Sequence, residues 1–256
     1  MFGKCLVYEL KLTWKKMCLI YMIAAIALLC RLIFYTTYDY NDTTMLRTLS
    51  FTTASIFTLA ESLLSIITVF VLCRDYRTTM YSSRGYLTHT LPIKTMTIFW
   101  GKIVNAIIWT LATCLLQFFL FVYTSLIVVD GAPTINTLFD RIGDILAEIP
   151  SVGVFFMILA LIILMTLYTM FVVAACYGVG QLSDNHRVAF TILAGFGFYI
   201  LTIFVTASLT KSIAMNYSEH LTGTMILARV DITLLIACVV IYILNHWLLT
   251  KKLNLQ

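Results

Sequence analysis

Two oppositely charged residues, Arg31 and Glu61, stand inside long apolar stretches of the sequence. Arg31 lies about five residues from the end of one predicted membrane span, 17–36, and Glu61 about seven residues from the start of the next, 54–73. Both ends face the same side of the membrane, so the depths of the two residues differ by only about 3 Å. A charge inside a bilayer is costly, and such residues are usually paired or functional. We predict a structural ion pair between them. The alternative is that Glu61 faces a cationic substrate on a translocation path.

Other chemistry finds no support in the sequence. The Gly-Lys pairs at 3–4 and 101–102 are not followed by Ser or Thr, so neither completes a phosphate-binding loop. No Gly-x-Ser-x-Gly or His-Glu-x-x-His motif occurs. The seven cysteines and four histidines are scattered, without metal-ligand spacing. We expect no enzyme activity, metal or cofactor in this chain, so energy for any transport must come from elsewhere.

The composition indicates that these residues are positioned by membrane-spanning helices. The chain is 61% hydrophobic and 11% charged, whereas soluble domains are about 45–50% apolar and about 25% charged. Stretches long enough to cross a bilayer of roughly 30 Å predict an all-α polytopic membrane protein with a single transmembrane domain at 1–256. The six predicted spans are residues 17–36, 54–73, 103–129, 153–177, 189–209 and 230–249.

Basic residues set the predicted orientation, because Lys and Arg are enriched in cytoplasmic segments. One side of the membrane collects 12 of the 17 basic residues, and most acidic residues fall on the other side. The basic set is Lys4, Lys11, Lys15, Lys16, Arg74, Arg77, Arg84, Lys94, Lys102, Arg187, Lys251 and Lys252. We therefore expect a plasma-membrane protein with both termini in the cytoplasm. The net charge of +5 reflects topology, and no nucleic-acid partner is expected.

Residues 1–16 carry an apolar stripe at helical spacing, formed by Phe2, Leu6, Leu10 and Trp14. This pattern predicts an amphipathic helix lying in the plane of the cytoplasmic interface, in contact with anionic membrane lipid. The alternative is a charged segment that only sets topology.

The predicted outer loop at 130–152 carries a row of acids, Asp140, Asp144 and Glu148, at intervals of four. Like charges at this spacing oppose each other mildly in a helix. We interpret the row as a solvated face. The alternative is an acidic lip that attracts cationic peptides or drugs.

The connection at 74–102 is the longest predicted cytoplasmic one. Tyr86, Leu87, Thr90 and Leu91 share one face of a predicted short helix, which Pro92 ends. Further on, Trp100 and Lys102 suit the headgroup level. A short helix with exposed apolar residues needs a cover. That cover is either the inner leaflet or a cytoplasmic partner with a groove.

The stretch "GYLTHTLPIKTMTIFWGKIVNAIIW" resembles the cytoplasmic loop of bacterial type-two ATP-binding-cassette (ABC) exporter permeases. In many Firmicutes members a Gly-Tyr-Leu…Thr-Leu-Pro element precedes a lysine and the third span. The start, "FGKCLVYELKLTWKK", is similar to the N-terminal elbow of the same family. Relatives often carry acids before the Gly, where this chain has Ser83-Arg84.

The resemblance implies a coupling helix through which a separate ATPase moves the membrane helices. Its residues would be Gly85, Tyr86, Leu87, Thr88, His89, Thr90, Leu91 and Pro92. The shorter connection at 178–188 would be a second contact, through Gln181, Asp184, His186 and Arg187. The resemblance also implies a re-entrant outer gate at 210–229.

The implied partners are two ABC ATPase subunits, which would hold ATP and Mg, and a second copy of this chain or a similar permease. The substrate would be an antimicrobial or cationic peptide, a lipid or a drug. The alternatives are an ion-coupled transporter and a peptide-sensing or immunity membrane protein without an ATPase. Ion-coupled transporters usually show more ionisable groups in their spans, and internal repeats.

Overall fold

The computed structural model describes residues 2–37, 44–81, 95–130, 135–147, 151–182, 186–215 and 223–249. These residues form seven α-helices and no strand, in agreement with the predicted all-α class. The helices are α1 (Phe2–Thr37), α2 (Thr44–Met80), α3 (Thr95–Asp130), α4 (Ile135–Ala147), α5 (Val152–Gly180), α6 (Arg187–Met215) and α7 (Gly223–Trp247).

Five helices in the described part of the chain are long and apolar enough to cross a membrane. Their spanning segments are Phe2–Cys30, Thr95–Tyr123, Val152–Gly180, Arg187–Phe204 and Thr224–Trp247. Large apolar side chains point outward, and Val152, Leu193 and Phe204 are each more than 70% exposed (74%, 71% and 74%). Such a surface suits lipid and not water. The protein is therefore a multi-pass membrane protein, and the sixth predicted span, 54–73 in α2, stays a prediction.

The helices are longer than the predicted spans. The helix α2 continues past residue 73 to Met80, and α3 begins at Thr95, so residues 74–80 and 95–102 of the predicted connection are helical. At the N-terminus, α1 runs without a break from Phe2 to Thr37. Residues 2–16 are thus the first part of one long helix that leads straight into the first predicted span.

The chain divides into two compact units. The first contains Met1–Glu9, Cys73–Ile107 and Ser151–Gln256, and the second contains Leu10–Leu72 and Ile108–Pro150. In the first unit α5 packs against both α6 and α7. Polar bonds support this packing: Asn245 Nδ2 donates to the Phe171 carbonyl at 2.9 Å, and the hydroxyls of Tyr168 and Thr202 lie 2.6 Å apart.

The second unit has a polar ladder in its interior, formed by Thr13, Tyr21, Thr68, Trp109 and Thr113. Trp109 Nε1 donates to Thr13 Oγ1 at 2.8 Å. Thr113 Oγ1 lies 3.0 Å from the Tyr21 hydroxyl and 3.3 Å from Thr68 Oγ1. In lipid, helices associate through close packing and such interhelical hydrogen bonds. The ladder therefore accounts for the association of α1, α2 and α3 in this unit.

Candidate functional site

Most residues of the predicted coupling site lie outside the described residues, which end at Tyr81 and resume at Thr95. This holds for all eight residues from Gly85 to Pro92, and for Asp184 in the second connection. His186 and Arg187 are described and exposed at the start of α6, and Gln181, half-buried, follows the end of α5. The coupling residues thus stay a prediction, whereas the helix ends on either side of them belong to the described structure.

The other predicted charges are only partly described. Arg31 and Glu61 belong to α1 and α2, but their side chains lie outside the described part, and so their pairing stays a prediction. Asp140 and Asp144 are exposed on α4, and Glu148 lies outside the described residues.

An aromatic cluster joins the helix ends that flank residues 82–94. We define this cluster as Tyr76, Tyr81, Phe99, Trp100, Phe171, Tyr177 and Tyr242. Phe99 stacks on Phe171 with ring centroids 5.9 Å apart and meets Tyr76 edge-on at 6.5 Å. Trp100 contacts Tyr242 at 5.6 Å. The end of α2 and the start of α3 are thereby attached to α5 and α7.

The centre of the cluster is tightly packed. Tyr76, Phe99 and Phe171 are 2%, 0% and 3% exposed. Each aromatic pair contributes about 0.5–1.5 kcal/mol beyond the burial of its area. The two flanking helix ends are therefore packed together with the aromatic residues of α5.

Tyr81 links the two predicted cytoplasmic connections. It is the last described residue before the segment 82–94, and its ring lies 6.1 Å from that of Tyr177. Its hydroxyl lies 3.8 Å from the position that a Cβ on Gly178 would take. Arg77 adds a guanidinium 5.9 Å from the centroid of the Tyr177 ring, a cation–π arrangement. The early part of the 74–102 connection therefore packs against the start of the 178–188 connection.

The environment of Tyr81 keeps its phenol neutral. Burial raises the pKa of Tyr81 to about 12, because a low-dielectric environment disfavours the phenolate. Its backbone N–H donates to the Arg77 carbonyl at 3.0 Å, which closes the last turn of α2. The Tyr81 side chain is thus uncharged, and the Tyr81 backbone is hydrogen-bonded to the end of α2.

The shorter connection starts from a position where only glycine fits. A Cβ on Gly180 would collide with Thr191 and lie 3.0 Å from the Arg187 carbonyl oxygen. The next residues continue the turn: Gln181 N–H donates to the Tyr177 carbonyl at 3.1 Å, and Leu182 N–H to the Val179 carbonyl at 3.0 Å. The end of α5 and the start of α6 therefore lie in direct contact.

A buried ion pair, which the sequence analysis missed, also lies in the first unit. Lys102 Nζ donates to Glu9 Oε1 at 2.6 Å, and the two side chains are 4% and 6% exposed. Lys102 is thus buried and paired within the protein, and its depth relative to the lipid headgroups stays a prediction. One signal was present, since Glu9 is the only acid before Asp39.

Within the described residues, no three His, Cys, Asp or Glu side chains lie close enough to hold a metal ion. No protein-family model, no curated protein and no solved structure matches the chain.

Proposed function

We propose that this chain is the membrane permease subunit of an ABC exporter. Residues 85–92 would form the helix that a separate ATPase subunit grips, with a second contact at 181–187. The proposal draws on the resemblance of this segment to type-two exporter permeases and on the multi-pass architecture. Two ATPase subunits and a second permease would complete the assembly, and a cationic peptide, lipid or drug would be its cargo.

One observation supports this proposal most directly. Tyr81 lies against Tyr177 and close to Gly178, so the two connections that a motor would contact begin from one packed cluster. A displacement of residues 85–92 would then act on α2, α3 and α5 together. Loosely attached helix ends would absorb such a displacement instead of passing it on.

A second candidate function, an ion-coupled transporter, is favoured by the ion pair of Glu9 and Lys102. Ionisable groups within membrane spans often mark ion pathways, and Lys102 lies in the spanning segment Thr95–Tyr123. Such a protein would move its cargo in vesicles without any ATPase present.

The partner test starts from the native assembly. The chain is purified in mild detergent from the membranes of its source, and the proteins that accompany it are identified. We expect an ABC ATPase among them. The double variant Tyr86→Asp, Leu87→Asp should lose this partner, because two carboxylates would have to be buried unpaired in the binding groove of the ATPase.

The matched control places the same two charges on α4, as Phe139→Asp with Leu146→Asp, since both side chains are exposed (64% and 49%). This variant should keep the ATPase. An assembly that contains no ATPase, or that keeps it equally in both variants, would contradict the proposal.

A further inference from the structure

The second unit contains an apolar groove on the surface of α1 and α2. Its volume is about 130 Å³, and its wall is formed by Ile20, Ile23, Ala24, Ala27, Leu64 and their neighbours. Alanines on α1 and α2 create the groove, because a methyl group leaves space that a leucine would fill. Ile23 on its rim is 59% exposed, so the groove opens toward the surroundings of the helices.

The groove has the dimensions of one bilayer leaflet. From Ile20 to Leu28 the rise along α1 is about 12 Å, and the hydrocarbon of one leaflet is about 15 Å thick. Its residues on α1, from Ile20 to Leu28, lie within the first predicted span, 17–36. An extended acyl chain that runs parallel to α1 would therefore fit along it.

A positive charge stands at one end of the groove. Lys16 precedes Ile20 by four residues and Ile23 by seven, so it lies on the same face of α1. The side chain is exposed. Lys15 is also exposed but is turned about 100° away around the helix.

The depth of this charge agrees with that of a lipid headgroup. Trp14, half a turn before Lys16, is 59% exposed and rests against Trp109 with ring centroids 6.0 Å apart. Exposed tryptophans in membrane proteins concentrate at the headgroup level. Lys16 is thus placed to meet a phosphate, while the groove below it accepts hydrocarbon.

We propose that this groove is a binding site for one anionic phospholipid. One acyl chain lies between α1 and α2 along Ala24 and Ala27, and the headgroup phosphate pairs with Lys16. The proposed site does not depend on ATPase coupling. Its occupant is one phospholipid held at a fixed place, in contrast to the exchanging lipids that surround the helices.

Native mass spectrometry can count the lipid directly. The purified chain is delipidated in mild detergent and offered an equimolar mixture of phosphatidylglycerol and phosphatidylcholine. We expect one retained phospholipid per chain, with phosphatidylglycerol preferred about fivefold, since one lysine near the membrane surface contributes that much.

The groove is tested by Ala24→Leu against Ala25→Leu. Both changes add the same atoms to α1, but Ala25 is exposed and lies off the groove. Ala24→Leu should weaken lipid retention by about tenfold or more, because each buried methylene strengthens binding about fourfold. Ala25→Leu should retain the lipid. Equal retention in the two variants would overturn the proposal, as would a changed dimer fraction with unchanged lipid, which would assign the groove to a second copy.

The headgroup contact is tested by Lys16→Gln against Lys15→Gln. Lys16→Gln should abolish the preference for phosphatidylglycerol, and Lys15→Gln should keep most of it. Because neither change touches the groove packing, this pair decides the question even if Ala24→Leu does not fold. An equal loss of the preference for phosphatidylglycerol in both variants would contradict the contact between Lys16 and the phosphate.

Discussion

Lys102 and Glu9 form an ion pair 93 residues apart in sequence, with 2.6 Å between Nζ and Oε1 and almost no exposure of either side chain. The pair fixes the start of α1 to the start of α3. The close approach of the helices is visible next to it, since a Cβ on Gly101 would lie 3.2 Å from Cys5 Sγ. Lys102 is thus a buried residue that holds two helices together.

Removal of one partner of this pair should be strongly destabilising. Glu9→Gln leaves Lys102 buried with its charge uncompensated, and Lys102→Met removes the 2.6 Å bond to the buried Glu9; breaking a buried pair in this way costs about 3–5 kcal/mol. The double variant Glu9→Leu, Lys102→Met should recover much of the loss, because no charge remains buried. Thermal unfolding in detergent, followed by loss of the monodisperse elution peak, measures the effect. A double variant no more stable than the single ones would contradict this account.

A second prediction concerns Arg31 and Glu61. If they form a structural pair, Arg31→Glu or Glu61→Arg alone should reduce the folded yield, since an unpaired charge in the membrane costs roughly 2.5–3.5 kcal/mol at mid-bilayer. The exchange of both should restore the yield. The measurements are the yield in the membrane and the elution profile. If the exchanged variant folds no better than either single variant, the predicted ion pair is contradicted.

The glycines of α5 and α6 permit a matched comparison. Gly180→Ala should destabilise the protein by about 1–3 kcal/mol, because its Cβ has no space beside Thr191 and overpacking at such a site is costly. Gly197→Ala should be neutral or slightly stabilising, since nothing lies within 4 Å of its Cβ and alanine favours helix. Thermal unfolding of the two variants side by side tests this, and equal melting temperatures would speak against a tight α5–α6 contact.

Tyr81 should make stability depend on alkaline pH. Its pKa is raised to about 12 in the folded protein and is about 10 in an unfolded chain. The unfolded state therefore loses the proton first, so the contribution is complete below pH 10 and is lost as the pH rises toward 12. Tyr81→Phe should remove this part of the pH dependence.

The difference in absorbance at 295 nm between wild type and Tyr81→Phe isolates this residue from the other tyrosines. The difference titration should have its midpoint near pH 12. A midpoint near pH 10 would mean that the Tyr81 ring is in contact with water and outside the aromatic cluster.

The sequence predicted the helical class and the approximate place of most helices, because long apolar runs have few alternatives to membrane helices. The helices α2 and α3 extend beyond the predicted spans 54–73 and 103–129. Arg74 and Arg77 mark the end of the apolar run after residue 73, but polar residues do not end a helix, and α2 continues to Met80. Hydropathy locates the membrane edge and not the helix end.

The contacts of the candidate site could not be predicted from the sequence, for a different reason. The meeting of Tyr81 with Tyr177, and of Glu9 with Lys102, depends on which faces of distant helices pack together. A single sequence shows that Glu9 is an isolated acid, but several lysines could have been its partner. The choice among them is made by packing.

The helices α2 and α3 extend beyond the predicted spans by about two turns each. From residue 73 to Met80 the helix rises about 10 Å, and from Thr95 to residue 103 about 12 Å. These added turns carry Tyr76 and Phe99, which meet edge-on with ring centroids 6.5 Å apart. The lengths of α2 and α3 beyond the predicted spans thus supply the aromatic surfaces by which the two helix ends pack together.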